Sequence, residues 1–301
     1  MSRFDTPEPV CNRRDGAVAL VIRSKKRDLG GLTVRRVLPA PERRMVGPFI
    51  FVDEMGPMEY AVGSGINVRP HPHIGLSTVT YLFEGEILHR DSLGTERVIR
   101  PGAVNLMTAG RGIVHSEREA PSEGDQTRRM HGMQIWMALP REHQEVDPSF
   151  THYPADVLPI TSESGCRTTT VIGRYGSAIS PVEAPVETLY LAQQLAEGAT
   201  VAVPDTVAER AVYVVEGSIE IDGCLLRAGE MAVLNRGMVH LVSHAASRLL
   251  VLGGPAFSRR RIWWNFVHTD DDRIERAKAD WRAGRFPSVP GDAEEFIPLP
   301  D

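Results

Sequence analysis

Residues 71–88 read HPHIGLSTVTYLFEGEIL: two imidazoles around a proline, then a run rich in β-branched and aromatic residues that breaks at Glu84-Gly85. Strand-forming side chains on both sides of a glycine predict a strand, a tight turn and a second strand. His71 and His73 are two apart, so in extended backbone both point to one face. Pro72 fixes its own φ and biases His71 toward the extended region, which stiffens the pair. Such a pair suits a metal ion, because little chain entropy is left to lose on binding. Alone, the HxH spacing does not separate a ligand pair from a decorated surface loop.

The same pattern runs outward from this stretch. AVALVI (17–22), LTVRRVL (32–38), GPFIFVDEMGP (47–57) and HGMQIWMALP (131–140) all read as short strands, with turns expected at Gly30-Gly31, Gly56-Pro57 and Pro101-Gly102. Short strands at this cadence predict a sandwich or barrel rather than βαβ units. The second half repeats the first: YLFEGEI (81–87) matches YVVEGSI (213–219), and RPGAVNLMTAG (100–110) matches RAGEMAVLNRG (227–237). A duplicated β-domain follows. The expected fold class is all-β: two tandem antiparallel β-barrel (jelly-roll) domains and a C-terminal helix. The division is a loosely held arm over 1–16, a first domain over 17–140, a linker over 141–167, a second domain over 168–258 and a tail over 259–301. In that tail Thr269 is placed to cap a helix with Asp272 in capping-box spacing. Ile274, Ala277 and Trp281 share a face, Glu275 and Lys278 can pair, and Gly284 can end the helix.

Composition limits the function classes. The 301-residue chain carries a net charge of -5 with both signs interspersed, which gives no argument for nucleic acid as a partner while leaving room for a local basic patch. No apolar run has membrane-spanning length and the N-terminus has no apolar signal core, so a cytoplasmic protein is the expectation. Cys11, Cys166 and Cys224 are far apart and odd in number, suggesting neither a disulfide framework nor a thiolate metal site.

The second ligand pair stands in TAGRGIVHSE (108–117), where His115 and Glu117 are again two apart. Met across a sheet lumen, the two pairs would supply three imidazoles and one carboxylate, leaving coordination positions for water or substrate. That donor mixture suits one divalent ion: Fe(II), Mn, Co, Ni, Cu or Zn. His89 in ILHRDSLG reads as a surface histidine or one standing behind a ligand. Gln134 is a candidate lining donor beside Trp136, and His143 and His152 read as solvated. In the repeat, Val203 and Asp205 fall at the places of His71 and His73, with only His240 or His244 near the counterpart of His115. The second domain therefore lacks a complete metal set.

RRVLPAPERRMVGPFIFVDEMGP, HPHIGLSTVTYLFEGEILHRDSLG and IRPGAVNLMTAGRGIVHSE together resemble the pirin family, a branch of the cupin superfamily. The resemblance is sharpest over 17–140 and extends to about residue 255. It implies two facing β-barrel domains with one metal in the first, commonly iron, held by His71, His73, His115 and Glu117. Some family members are similar to quercetin 2,3-dioxygenases, which implies a small aromatic substrate such as a flavonol, O₂, and Glu117 as the catalytic base. Others are described as iron-dependent regulators, which implies a redox-sensing protein-binding module with a protein partner and no turnover. Neither implies a membrane, and a monomer is compatible with both. Ser77 departs from a glutamate common after the paired histidines in related sequences, which puts flavonol turnover in question.

Overall fold

The structure is a computed structural model that describes residues 11, 16–28, 32–121 and 127–300. The expected Gly30-Gly31 turn and most of the 1–16 arm lie outside the described residues.

Each half of the chain folds into one seven-stranded and one four-stranded antiparallel sheet. In the first half the large sheet runs Ser149–Tyr153, Val104–Thr108, Leu76–Glu84, Arg128–Ala138, Phe49–Tyr60, Thr33–Leu38, Lys25–Asp28. Its small sheet runs Asn67–His73, Ile113–Glu119, Ile87–Asp91, Glu96–Ile99. The second half repeats the arrangement, its small sheet running Thr200–Val203, Val239–Ser243, Ser218–Ile221, Cys224–Arg227. These are jelly-roll sandwiches. They do not close into the expected barrels, because among the described residues the outermost strands of each sheet have no ladder partner on their outer side.

Three placements differ from the reading by sequence. The Val18–Arg23 strand, grouped there with the first domain, pairs with Glu230–Leu234 at the edge of the second domain's large sheet. Residues of the expected linker supply edge strands instead. Ser149–Tyr153 extends the first sheet, and Ile160–Glu163 pairs with Cys166–Ile172 in the second. Cys11 and Cys224, read as unpaired, form a disulfide with their Cα atoms 5.0 Å apart. Sequence spacing carries no signal for a pair separated by 213 positions.

The two large sheets face each other, and the main apolar core lies between them. Val52, Val79, Tyr81 and Ile135 of the first domain pack there with Tyr190, Ala211, Tyr213 and Leu250 of the second. The Leu76–Glu84 strand shows how one segment serves two cores. Val79 and Tyr81 face the other domain, while Leu76 and Leu82 point into their own. The interdomain layer also buries a charged group. Glu54 accepts hydrogen bonds from Tyr213 Oη at 2.5 Å and from Arg35, and it meets His131 Nε2 at 2.8 Å. Removing one member would strand the others, so this network ties the domains into one orientation.

The helix spans Asp271–Arg282 and packs through Ile274 and Ala277 against Ile74 and Phe266. Its cap is Asp270, whose carboxylate accepts from the Asp272 amide at 3.0 Å. Thr269, the expected cap, is drawn away because its hydroxyl donates to Gln144 Oε1 at 2.8 Å. Lys278 does pair with Glu275 at 2.8 Å, and Gly284 follows the helix at φ +65.

Candidate metal centre

Adjacent strands of the first domain's small sheet carry the histidines. His115 lies directly opposite His71 in the antiparallel register, and His73 lies opposite Ile113. The imidazoles thus converge as neighbours on one sheet, not across a lumen. Between His115 and Glu117 the register slips, so Glu117 faces Val68. Nitrogens of His71, His73 and His115 all lie within 4.8 Å of one another, and all three residues are buried. Glu117 is not part of that cluster. Its carboxylate lines the same cavity, of about 530 Å³.

Each imidazole has a partner for the nitrogen turned away from the cluster. His71 Nδ1 donates to the Arg69 carbonyl at 2.9 Å, and His73 Nδ1 donates to the Asn265 carbonyl at 3.2 Å. His115 Nδ1 meets His89 Nδ1 at 3.5 Å, and His89 Nε2 meets Asp91 Oδ2 at 3.0 Å. A chain in which His89 donates to Asp91 and accepts from His115 leaves every Nε2 of the cluster a lone pair. His73 Nε2 and His115 Nε2 then face each other at 3.1 Å. Two lone pairs that close repel, and a cation shared between them removes the conflict. The donor set therefore fits a divalent metal ion.

Electrostatics agree. Burial lowers the pKa of His71 to about 4, with the Arg69 hydrogen bond opposing and nearby His89 adding a little. Burial also holds His73 and His115 well below the usual imidazole range, each further lowered by neighbouring imidazoles. All three imidazoles are neutral at neutral pH, the form in which they could bind a metal ion. Burial pushes Glu117 up to about 7 against a hydrogen bond from Gln134. Gln134 is oriented to give that bond because its Oε1 accepts from Thr80 at 2.7 Å. Sequence spacing suggested Gln134 as a lining donor, whereas Thr80 carried no signal.

The cavity wall is aromatic on one side. Phe51 stacks on Trp136 at 4.0 Å, and Trp136 meets His73 edge-on at 5.0 Å. Arg36 lies over Phe51 at 4.1 Å and forks onto the buried Asp53 carboxylate through two bonds of 2.8 Å. Part of the lining comes from the C-terminal tail, which nothing local in the sequence announces. Trp264, Asn265 and Ile297 line the cavity. Trp264 holds φ +50, rare for a bulky residue and kept only where its surroundings fix it. The Ile297 amide donates to the Pro70 carbonyl at 2.9 Å, and Arg118 grips Asp292 through two bonds of 2.7 Å.

The remaining sequence candidates fall elsewhere. His89 stands behind His115 and stacks on Phe150 at 4.5 Å. His152, expected in solvent, bonds Asn105 Oδ1 at 2.7 Å. Ser77 is buried and shares a 2.9 Å hydrogen bond with Thr108, so its hydroxyl is spent inside the sheet. His240 and His244 of the second domain face outward.

A jelly-roll pair with a buried three-histidine cluster in one member defines a two-domain cupin metalloprotein. The Pirin family model matches residues 31–137, and the Pirin C-terminal cupin domain model matches residues 190–287. A pirin-like protein of Caulobacter vibrioides is 47% identical over 291 residues, covering 94% of this chain and 100% of that protein. The crystal structure of quercetin 2,3-dioxygenase from Acinetobacter baumannii superposes with a TM-score of 0.85 at 34% identity, covering 94% of each chain. A bacterial pirin from Escherichia coli, solved in complex with nickel(II), shares the fold at a TM-score of 0.62 and 20% identity, over 79% of this chain and 99% of that one. The chain belongs to the pirin family.

Proposed function

We propose that this protein is a metal-dependent dioxygenase of the quercetin 2,3-dioxygenase type, acting on an oxygen-rich aromatic such as a flavonol. The observation that carries the reading is the three-imidazole cluster, two of whose members, His71 and His73, line a cavity of about 530 Å³ beside a stacked aromatic pair. Likeness to a quercetin 2,3-dioxygenase over 94% of the chain supports the substrate class. His71, His73 and His115 would hold the ion, with Glu117 as a fourth ligand, and iron(II) is the metal proposed. When bound, the ion supplies Lewis acidity and a redox partner for O₂. The protein's own groups do the rest. Phe51 and Trp136 offer a flat apolar wall for an aromatic ring. Glu117, held by Gln134, takes the substrate hydroxyl proton on a carboxylate oxygen. Trp264 and Ile297 in the cavity lining keep bulk water out.

Anaerobic addition of quercetin to fully iron-loaded protein, followed by O₂, tests the reading. Consumption of O₂ with matched release of carbon monoxide and ring-opened product is expected. Absence of turnover in that preparation would sink the assignment. It would leave the redox-sensing, protein-binding reading, in which partner affinity differs between the ferrous, ferric and metal-free forms.

A further inference from the structure

A second cleft, of about 830 Å³, lies between the domains and is lined by six cationic side chains: Arg23, Lys25, Arg27, Arg36, Arg44 and Arg227. Among the described residues that line it, only Glu42 and Glu230 oppose them. Such a concentration is unexpected in a chain of net charge -5. Arg23 is paired with Glu230 and Arg36 with Asp53. Among the described residues, Lys25, Arg27, Arg44 and Arg227 form no ion pair with a carboxylate.

The backbone presses these charges together. Lys25 lies directly opposite Arg36 in the ladder, and Arg27, two residues on, shares the Lys25 face. Like charges set opposite each other in a sheet destabilise it. Asp53 attracts both Arg36 and Arg27, and it engages only Nε and Nη2 of Arg36, leaving Nη1 without a hydrogen-bond partner among the described residues. Arg44 comes from the loop before the Phe49–Tyr60 strand, and Arg227 ends the Cys224–Arg227 strand of the other domain. The Cys11–Cys224 disulfide stands at the same wall. Buried Ile22 and Val37 give the cleft an apolar floor.

We propose that this interdomain cleft binds a small organic polyanion, carrying at least two phosphate or carboxylate groups on a compact body. Guanidinium forks match both oxyanions, and the apolar floor fits a small molecule better than an extended nucleic-acid backbone. Arg36 lines both this cleft and the metal cavity. An anion on Arg36 Nη1 therefore sits one side chain from the Phe51–Trp136 wall.

Calorimetric titration of the full chain with pyrophosphate and, separately, citrate tests the site in metal-free and metal-loaded protein alike. At about 150 mM salt, long-range attraction is screened beyond about 8 Å, so contact binding is read. One saturable site is expected. It should weaken at least about tenfold in the Arg44→Glu/Arg227→Glu variant, which replaces two charge-assisted contacts by repulsion. It should persist in Arg100→Glu/Arg129→Glu, an equal charge change at two exposed arginines outside the cleft. The tighter of the two probes identifies phosphate or carboxylate as the preferred group. The proposal is overturned by no saturable binding of either probe, by equal weakening in Arg100→Glu/Arg129→Glu, or by a single-stranded oligonucleotide outcompeting both through the same arginines.

Discussion

The two domains share one strand order yet hold opposite interiors. In the first, His71 opposes His115 across two neighbouring strands. At the matching place in the second, Val203 opposes Val239. The second interior is one continuous apolar cluster that includes Val203, Val239, Leu241 and Leu249. The first is split into two clusters, one around Val34, Met55 and Leu82 and the other around Phe51, Leu76 and Trp136, with the metal cavity between them. The backbone is the same kind of frame in both. What differs is that one copy gives up apolar packing for a buried polar cluster able to hold a metal ion, so its stability and its proposed chemistry draw on the same residues.

The contrast can be broken from either side. Leu249→Ala opens a cavity in the continuous core and should cost about 2–5 kcal/mol in urea unfolding, with metal content unchanged. An equal loss of metal would show that the second domain supports the site after all. His115→Ala should do the reverse: metal affinity falls more than about a hundredfold by elemental analysis and competition with a chelator, since a direct ligand weighs more than the groups behind it. The metal-free variant should unfold no more easily than the metal-free parent, because a buried imidazole with a strained lone pair is gone.

Smaller effects sharpen the same line. Gln134→Leu removes the donor that holds Glu117 and should weaken metal binding by about 10–100-fold while far-UV circular dichroism is unchanged. A change only in unfolding midpoint would make Gln134 a packing residue. Acidification probes the same cluster. The three imidazoles titrate lower in the folded protein than in the unfolded chain, so the unfolded state binds more protons as pH falls below about 6.5. Metal-free protein should therefore lose thermal stability from about pH 6.5 toward pH 4, where His71 itself protonates. Glu117, raised to about 7, works in the opposite sense and stabilises the fold as pH falls through that value. Its single contribution should blunt the loss without reversing it, and a midpoint rising steadily on acidification would refute the neutral-imidazole picture.

The strand cadence, the domain repeat, the helix and the paired ligand spacing are all local patterns, and they were legible as such. Alternation along a strand fixes which side chains share a face, so HPH and HSE each declare a direction before any fold is known. Likewise, Val203 and Asp205 at the places of His71 and His73 mark the second copy as the one without a complete ligand set. Capping was legible only to within a residue, because Thr269 and Asp270 compete for one role and Gln144 decides it.

What the chain alone determined is the material of the site: three imidazoles, a carboxylate and the β-rich frame to aim them. The tertiary structure decided what surrounds them. Asn265 reaches back 192 positions to orient His73, Trp264 and Ile297 line the cavity, and Glu54 meets Tyr213 across the domain boundary. Val18–Arg23 crosses to the other domain's sheet, and Cys11 finds Cys224. Such contacts join segments whose separation leaves no period or spacing to read, and they exist only once two cores have packed and fixed which distant backbones lie side by side.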